Sequence, residues 1–462
     1  MKKKDIIQFG TGNFLRGFSC WMVQQMKDQG FFKGDIFMIQ SHGDSVPETY
    51  QNQNNQYHVM ELGVSKGKEI NQISKIDCIK AVINAKNEPE RFLKLAENPG
   101  LRFVISNTTE AGIFFKQENP NIENVFPVTF PGKLTALLYI RFSFFEGELE
   151  KGLIIFPCEL IQDNGAELKK IVLKHANSWS LPKTFLDWLD ASTLFCNTLV
   201  DRIVPGFPKE NMDKIRPNLE FEDELLVMTE PYHFWAIEGD EKIKDEFPAE
   251  KAGLQVNFVK DLSLYRKRKV RVLNGAHTAM VPMAYLKGLR TVIESIEHQG
   301  LGQLISDIIF KEIIPVLGMP EKETEKFALD VIDRFRNPFI RHELLSIALN
   351  SISKFKIRVL PSMVEFYQIN GFWPPLLCQA MADLLVFYSG MDKEGKKIPL
   401  KDDLVVISIF SEAWEADNVY TFLQAVLSQD SLWGEDLSFY ASLTDELAEK
   451  IDYQSHKSFM KK

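Results

Sequence analysis

The stretch Asp5–Phe18, DIIQFGTGNFLRGF, constrains the fold of this chain more than any other. A short apolar run (Ile6, Ile7, Phe9) ends in Gly10-Thr11-Gly12, and a segment with helical potential, 14–26, comes directly after it. A strand that turns on glycines into a helix presents backbone N–H groups and the positive helix end to an anion. The pyrophosphate of a dinucleotide is the usual guest. Leu15 replaces the third glycine of the common G-x-G-x-x-G pattern, and the next glycine is Gly17. Taken alone, the same residues also read as a plain strand-to-helix turn.

The rest of the chain favours the nucleotide. Residues 35–40, 101–106 and 153–157 read as buried strands, and 91–96, 134–145 and 167–175 as helices. Strands alternating with helices predict a parallel sheet with crossovers. From Leu262 the pattern changes to helical periodicity over 281–316, 322–353, 360–390 and 401–448, broken by Pro315, Pro320, Pro361, Pro374-Pro375 and Pro399. The expected architecture is therefore α/β: a Rossmann-like, doubly wound, NAD-binding domain over 1–260 and a mainly helical substrate domain over 261–462. A chain of 462 residues is long enough for both.

Composition narrows the function. A net charge of −9 without a long basic run argues against a nucleic-acid surface. No run of about 18 apolar residues is present, so no membrane span is expected. Cys20, Cys78, Cys158, Cys196 and Cys378 are scattered and show no C-x-x-C spacing. They read as reduced thiols of a cytoplasmic protein, and no zinc-type ligand pattern accompanies them. At the end of the second strand, Ile39-Gln40-Ser41-His42-Gly43-Asp44 offers hydroxyl and amide partners for a ribose and no arginine for a 2′-phosphate, which favours NAD over NADP.

Four later stretches combine polar side chains with positions where α/β domains keep their sites. Asn107-Thr108-Thr109-Glu110-Ala111-Gly112 reads as a cofactor loop or as a helix cap. Cys158-Glu159 to Asn164-Gly165 reads as a site loop or as a turn, and Asp201-Arg202, set among apolar residues, as a buried ion pair. In Lys269-Val270-Arg271-Val272-Leu273-Asn274-Gly275-Ala276-His277, α-helical geometry places Lys269 about 80° from His277, with Asn274 one turn before it. A lysine that moves a proton, an amide that steadies a carbonyl becoming an alkoxide and a histidine that orients both suit reversible alcohol–carbonyl chemistry. The run Arg266-Lys267-Arg268-Lys269 also reads as a basic, solvated helix start.

Gly10-Thr11-Gly12-Asn13-Phe14-Leu15-Arg16-Gly17, the Asn107–Gly112 loop, Phe130-Pro131-Gly132-Lys133-Leu134-Thr135, Val200-Asp201-Arg202-Ile203, Glu230-Pro231-Tyr232 and Lys269…Asn274…His277 occur in that order. Together they resemble the mannitol dehydrogenase family of long-chain polyol dehydrogenases, and the segments at 336–340 and 349–356 resemble its hexuronate branch. The resemblance implies metal-free hydride transfer between NAD(H) and a sugar acid, with Lys269 as general acid/base, Asn274 as oxyanion donor and His277 as orienting group. It implies cofactor contacts from Gly10, Gly12, Asn13, Phe14, Arg16, Thr108, Thr109 and Glu110, with Arg16 near the pyrophosphate. It implies substrate contacts from Asn164, Asp201 and Lys354. Where polyol members carry an arginine and a histidine before that lysine, this chain has Ser346 and Asn350. Arg341, His342, Lys356 and Arg358 are the candidates for the substrate carboxylate.

Overall fold

Ile6, Ile7 and Phe9 bury the strand β1 (Asp5–Phe9) on both of its faces. Ile6 points into a core with Phe18, Phe103, Phe156 and Trp235, while Ile7 and Phe9 point into a second core with Phe92, Phe130 and Leu137. Such two-sided burial is what a parallel strand covered by helices above and below requires. The computed structural model describes residues 2–40, 43, 45–108, 112–118, 126–209, 212–392 and 394–460. The chain divides into two units, one of Met1–Leu62 with Glu69–Leu262, the other of Gly63–Lys68 with Ser263–Lys462.

After β1 come β2 (Ile36–Gln40), β3 (Tyr57–Ser65), β4 (Lys68–Ile76), β5 (Ile79–Asn84), β6 (Leu101–Ser106), β7 (Ile154–Pro157) and β8 (Leu194–Phe195). β9 (Thr198–Asp201), β10 (Val227–Thr229), β11 (Phe234–Glu238) and β12 (Val256–Val259) complete the strands. Six of them form one sheet in the order β5-β2-β1-β6-β7-β8, with every pairing parallel. This is the doubly wound dinucleotide-binding order, with the chain turning back between β1 and β6. Phe9 stands opposite both Ile39 and Ser106, and Ser106 opposite Pro157, so the carboxyl ends finish level. Two three-stranded sheets, β10-β3-β4 and β12-β11-β9, are added to it.

The second unit is helical from Ser263 on, with no strand there among the described residues. Its first helix runs through Ser263–Arg268, a π-turn at Lys269–Asn274, and Gly275–Leu286. The last segment packs against the helices Ser351–Arg358 and Pro375–Phe387. Two more π-turns occur among the described residues, at Arg16–Cys20 and Ile308–Ile313. Such turns are rare in proteins and concentrate where a side chain has to be re-aimed. At the third, Glu312 is buried and caps the helix Pro375–Phe387, accepting from the N–H groups of Leu376 and Leu377 at 2.8 and 2.7 Å. No helix among the described residues is long and apolar enough to cross a membrane.

Candidate functional site

In the first unit the glycine turn emerges at the switch point of the sheet. Gly10 has φ +122°, and a Cβ there would lie 3.0 Å from the Asn107 carbonyl oxygen and 3.2 Å from Leu15 Cδ1. Only glycine fits, and Leu15 fills the space behind it. A Cβ on Gly12 would meet nothing within 4 Å. That open space lies where the helix starts at Asn13, so the turn has both the room and the unpaired helix end that a pyrophosphate needs. A Cβ on Gly17 would lie 2.6 Å from Thr229 Cγ2 and 3.1 Å from a methyl of Val204 and of Val227. Gly17 thus does the close helix-to-strand packing that the third glycine does in the common fingerprint, two residues later. Buried Gln8 braces the turn, donating to the Gly10 carbonyl at 3.0 Å and accepting from the Ser19 hydroxyl at 2.8 Å.

Arg16 is held within its own unit. The π-turn directs its buried guanidinium inward, where it donates to the Leu225 carbonyl and, at 2.6 Å, to Asn13 Oδ1, and lies over the Tyr57 ring. It frames the turn. Phe14 likewise stacks on Phe18, with ring centroids 5.0 Å apart. Thr109 and Glu110, and Ser41 and Asp44 beyond β2, lie outside the described residues. Gln40, at the end of β2, donates to the Ser45 carbonyl at 3.0 Å.

The loops after β6 and β7 are rooted by one carboxylate. Glu159 Oε1 accepts from the Thr108 N–H and hydroxyl at 2.9 and 3.0 Å, and Oε2 accepts from the Ser106 hydroxyl at 3.1 Å. Burial pushes the Glu159 carboxyl up, and the donors from Thr108 pull it back. Glu159 is absent from the expected site residues, although a carboxylate directly after a buried strand is a readable signal. Asn164 is a bracket. Its amide donates to the carbonyls of Pro157, Glu159 and Thr198 at 3.0, 3.1 and 3.1 Å, and its oxygen accepts from the N–H groups of Gly165 and Thr198. Both amide protons and the oxygen are engaged, so the expected substrate contact is not available in this geometry.

Buried Asp201 ends β9 opposite Phe234. Arg202 after it donates to Glu61 Oε1 at 2.8 Å, to the Gly17 carbonyl at 2.8 Å and to the Glu230 carbonyl at 3.0 Å, with Trp21 beneath it at 4.1 Å. A π-turn leaves carbonyls without their usual partner, and here Arg202 serves Gly17 while the Tyr57 hydroxyl serves Arg16 at 2.8 Å.

In the second unit the π-turn changes the expected geometry of the lysine set. On an α-helix, at about 100° per residue, Lys269 and Asn274 would diverge by about 140°. Hydrogen bonds from i to i+5 widen the turn, so residues five apart lie closer around the axis than the α-period would put them. The flanking cations are tied down: Arg268 to Glu323 at 2.9 Å, Lys267 to Glu365 at 3.2 Å, and Arg271 to Ser362 Oγ at 2.9 Å. The run is a set of anchored, partly buried cations, not a solvated helix start. Lys269, Asn274 and His277 are half-buried. The His277 ring lies 4.3 Å from that of Phe335 and 5.2 Å, edge-on, from that of His342. Burial pushes the His342 pKa down. Thr278 donates from its hydroxyl to the Asn274 carbonyl at 2.8 Å.

Lys354 lies on the helix Ser351–Arg358, which begins at Asn350 in the left-handed region (φ +52°), a conformation asparagine tolerates well. Its ammonium donates to the Ile347 carbonyl at 2.8 Å, and burial, then Arg358, lowers its pKa. Ser346 Oγ donates to the Glu343 carbonyl at 2.7 Å, so this departure from the polyol pattern serves the local backbone here. Among the described residues no group of three His, Cys, Asp or Glu side chains stands where it could hold a metal ion.

Residues 4–251 match the mannitol dehydrogenase Rossmann domain and residues 261–454 the mannitol dehydrogenase C-terminal domain. The chain belongs to the mannitol dehydrogenase family. Like that family it is an oxidoreductase acting on CH–OH groups. Curated relatives include the altronate oxidoreductase of Bacillus subtilis (strain 168), 42% identical over 97% of this chain and 92% of the relative. That of Phocaeicola vulgatus is 38% identical over 99% and 96%. Among solved structures, D-sorbitol dehydrogenase in substrate-free form superposes with a TM-score of 0.80 at 22% identity, over 99% of this chain and 95% of that one. The Pseudomonas fluorescens mannitol 2-dehydrogenase ternary complex with NAD and D-mannitol superposes with a TM-score of 0.63 at 19% identity, over 100% and 95%. Both share the fold.

Proposed function

We propose that this chain catalyses the reversible, NAD-dependent reduction of D-tagaturonate to D-altronate. The observation that carries the reading is the π-turn spanning Lys269 to Asn274 in a chain whose full-length relatives are named altronate oxidoreductase. The turn Gly10–Gly12 and the helix start at Asn13, with the Thr108-Thr109-Glu110 loop, would hold the dinucleotide. When bound, it supplies the hydride. Lys269 gives a proton to the substrate oxygen as that oxygen gains negative charge, and takes it back in the reverse direction. Asn274 donates a hydrogen bond to the same oxygen, which favours the charged state over the ketone. His277, held between Phe335 and His342, orients substrate and lysine. Lys354 contacts the substrate and Asp201 supports the proton path, while Asn164 acts through the strand ends that it joins.

The test is a panel of NADH and NADPH oxidation with D-tagaturonate, D-fructuronate and D-fructose. The expected result is the highest kcat/KM for tagaturonate with NADH. A preference for fructuronate would move the assignment to fructuronate/mannonate chemistry, and one for fructose to mannitol-type polyol chemistry. Tight NADH binding without turnover on any substrate would overturn it altogether.

A further inference from the structure

Four cations were open as partners for the carboxylate of a sugar acid, and the structure separates them. Arg341 is exposed and held at 2.5 Å by Glu343. His342 packs edge-on against His277, and burial disfavours a charge on it. Lys356 points about 160° away from Arg358 around their helix and lies against Gly434, where a Cβ would come within 2.8 Å of its Cε. Arg358 alone stands beside the π-turn. Its Nη1 is 3.5 Å from the Thr278 hydroxyl, which itself donates to the Asn274 carbonyl at 2.8 Å. Gly275 permits this closeness, because a Cβ there would lie 2.9 Å from the Arg358 carbonyl oxygen.

Arg358 is half-buried, and that single long contact is the only hydrogen bond or ion pair it makes among the described residues. Lys354 sits one turn earlier on the same face and also makes no ion pair among the described residues. Like charges four residues apart on a helix repel, and withdrawing either from water weakens the fold further. Elsewhere in this unit the buried Arg268 and the half-buried Lys267 and Arg271 each have a carboxylate. Asp402 attracts Lys354 from beyond ion-pair distance, and Arg358 has no carboxylate partner among the described residues, which leaves its half-buried guanidinium able to take an anion. The planar guanidinium, with only Nη1 engaged and that at 3.5 Å, is shaped for the two oxygens of a carboxylate.

We propose that Arg358, seconded by Lys354, binds the carboxylate of the sugar-acid substrate and so sets this chain's preference for a charged over a neutral carbonyl substrate. The proposal rests on the keto-hexuronate reading above. The substrate would lie with its reacting oxygen at Lys269 and Asn274 and its charged end at Arg358.

The test compares wild type, Arg358→Met and Arg358→Lys in steady-state reduction of D-tagaturonate with NADH, together with thermal unfolding. Arg358→Met is expected to raise the KM for tagaturonate roughly 10- to 100-fold, far more than it lowers kcat, as losing a charge-assisted hydrogen bond does. Its Tm without ligand should stay level or rise, because an unpaired desolvated charge is gone. Arg358→Lys should recover part of the KM. An unchanged KM in Arg358→Met would overturn the assignment while leaving the tagaturonate reading intact. A lowered Tm with kcat and KM both damaged, and no recovery in Arg358→Lys, would make Arg358 structural. A wild-type protein inactive on every hexuronate overturns the underlying reading instead.

Discussion

The π-turn at Arg16–Cys20 and that at Lys269–Asn274 each interrupt a long helix near its start, yet the first closes on its own unit while the second keeps its polar side chains half-buried. In the first, the carbonyls of Arg16 and Gly17 are served by Tyr57 and Arg202, and the Arg16 guanidinium by Leu225 and Asn13. In the second, Thr278 serves the Asn274 carbonyl, while the side chains of Lys269 and Asn274 are half-buried. A π-turn lets a helix aim a long side chain where the α-period would not. Whether that side chain braces or reacts depends on what packs against it. The third case, Glu312, is again a brace.

The comparison breaks first at Lys269. Lys269→Met should lower turnover by about 10²- to 10⁴-fold, the usual share of a positioned acid–base group. NADH binding and Tm should stay close to wild type, and near-normal turnover would remove the second π-turn's claim to chemistry. The converse experiment is Arg202→Met, which strands buried Glu61 and the Gly17 carbonyl. Breaking a buried pair from one side costs about 3–5 kcal/mol. A denaturant midpoint unchanged in Arg202→Met would show that the first π-turn does not depend on its donors.

A glycine pair sharpens the same contrast inside one turn. Gly17→Ala puts a methyl 2.6 Å from Thr229 Cγ2, an overpacking expected to cost about 1–3 kcal/mol. Gly12→Ala meets no protein atom, so stability should change by less than about 0.5 kcal/mol while the KM for NADH rises. A KM unaffected by Gly12→Ala would mean that the open space at the helix start does not receive the cofactor.

Much of the sheet was legible in the sequence because β1, β2, β6 and β7 are short apolar runs buried on both faces, and the glycines mark where β1 must turn. β4 was not: KEINQISKI is polar and largely exposed, and its neighbours in the small sheets are held by pairing partners far along the chain. The lysine set was legible as residue types, but its geometry was not. Hydrophobic periodicity does not register one extra residue per turn, and the five-residue interval from Lys269 to Asn274 was the trace it left. The Leu225 carbonyl that holds Arg16 lies 209 residues away and leaves no local signal in the sequence. Arg358 was indistinguishable from its three rivals until the neighbouring helix supplied Thr278.

A further predicted effect concerns pH and belongs to the surroundings of the first π-turn. His233 lies against Trp21, ring centroids 4.8 Å apart, with Arg202 beside it. Its Nε2 accepts from the Gln255 N–H at 3.1 Å, so the proton must sit on Nδ1, 3.2 Å from the Pro231 carbonyl. A second proton would break the bond from Gln255 and stand next to a guanidinium. Burial, then Arg202, pushes its pKa down to about 3. Below about pH 6.5 the unfolded chain therefore binds a proton that the folded chain refuses, and stability falls as pH falls toward 3. Between pH 7 and 5.5 this amounts to about 1 kcal/mol. In His233→Gln that part of the acid slope should vanish, whatever the variant does to stability at neutral pH, and the kinetic effect of Lys269→Met should be the same in both backgrounds. An acid limb equally steep in wild type and variant would place the proton uptake elsewhere and detach His233 from the bracing of the first turn.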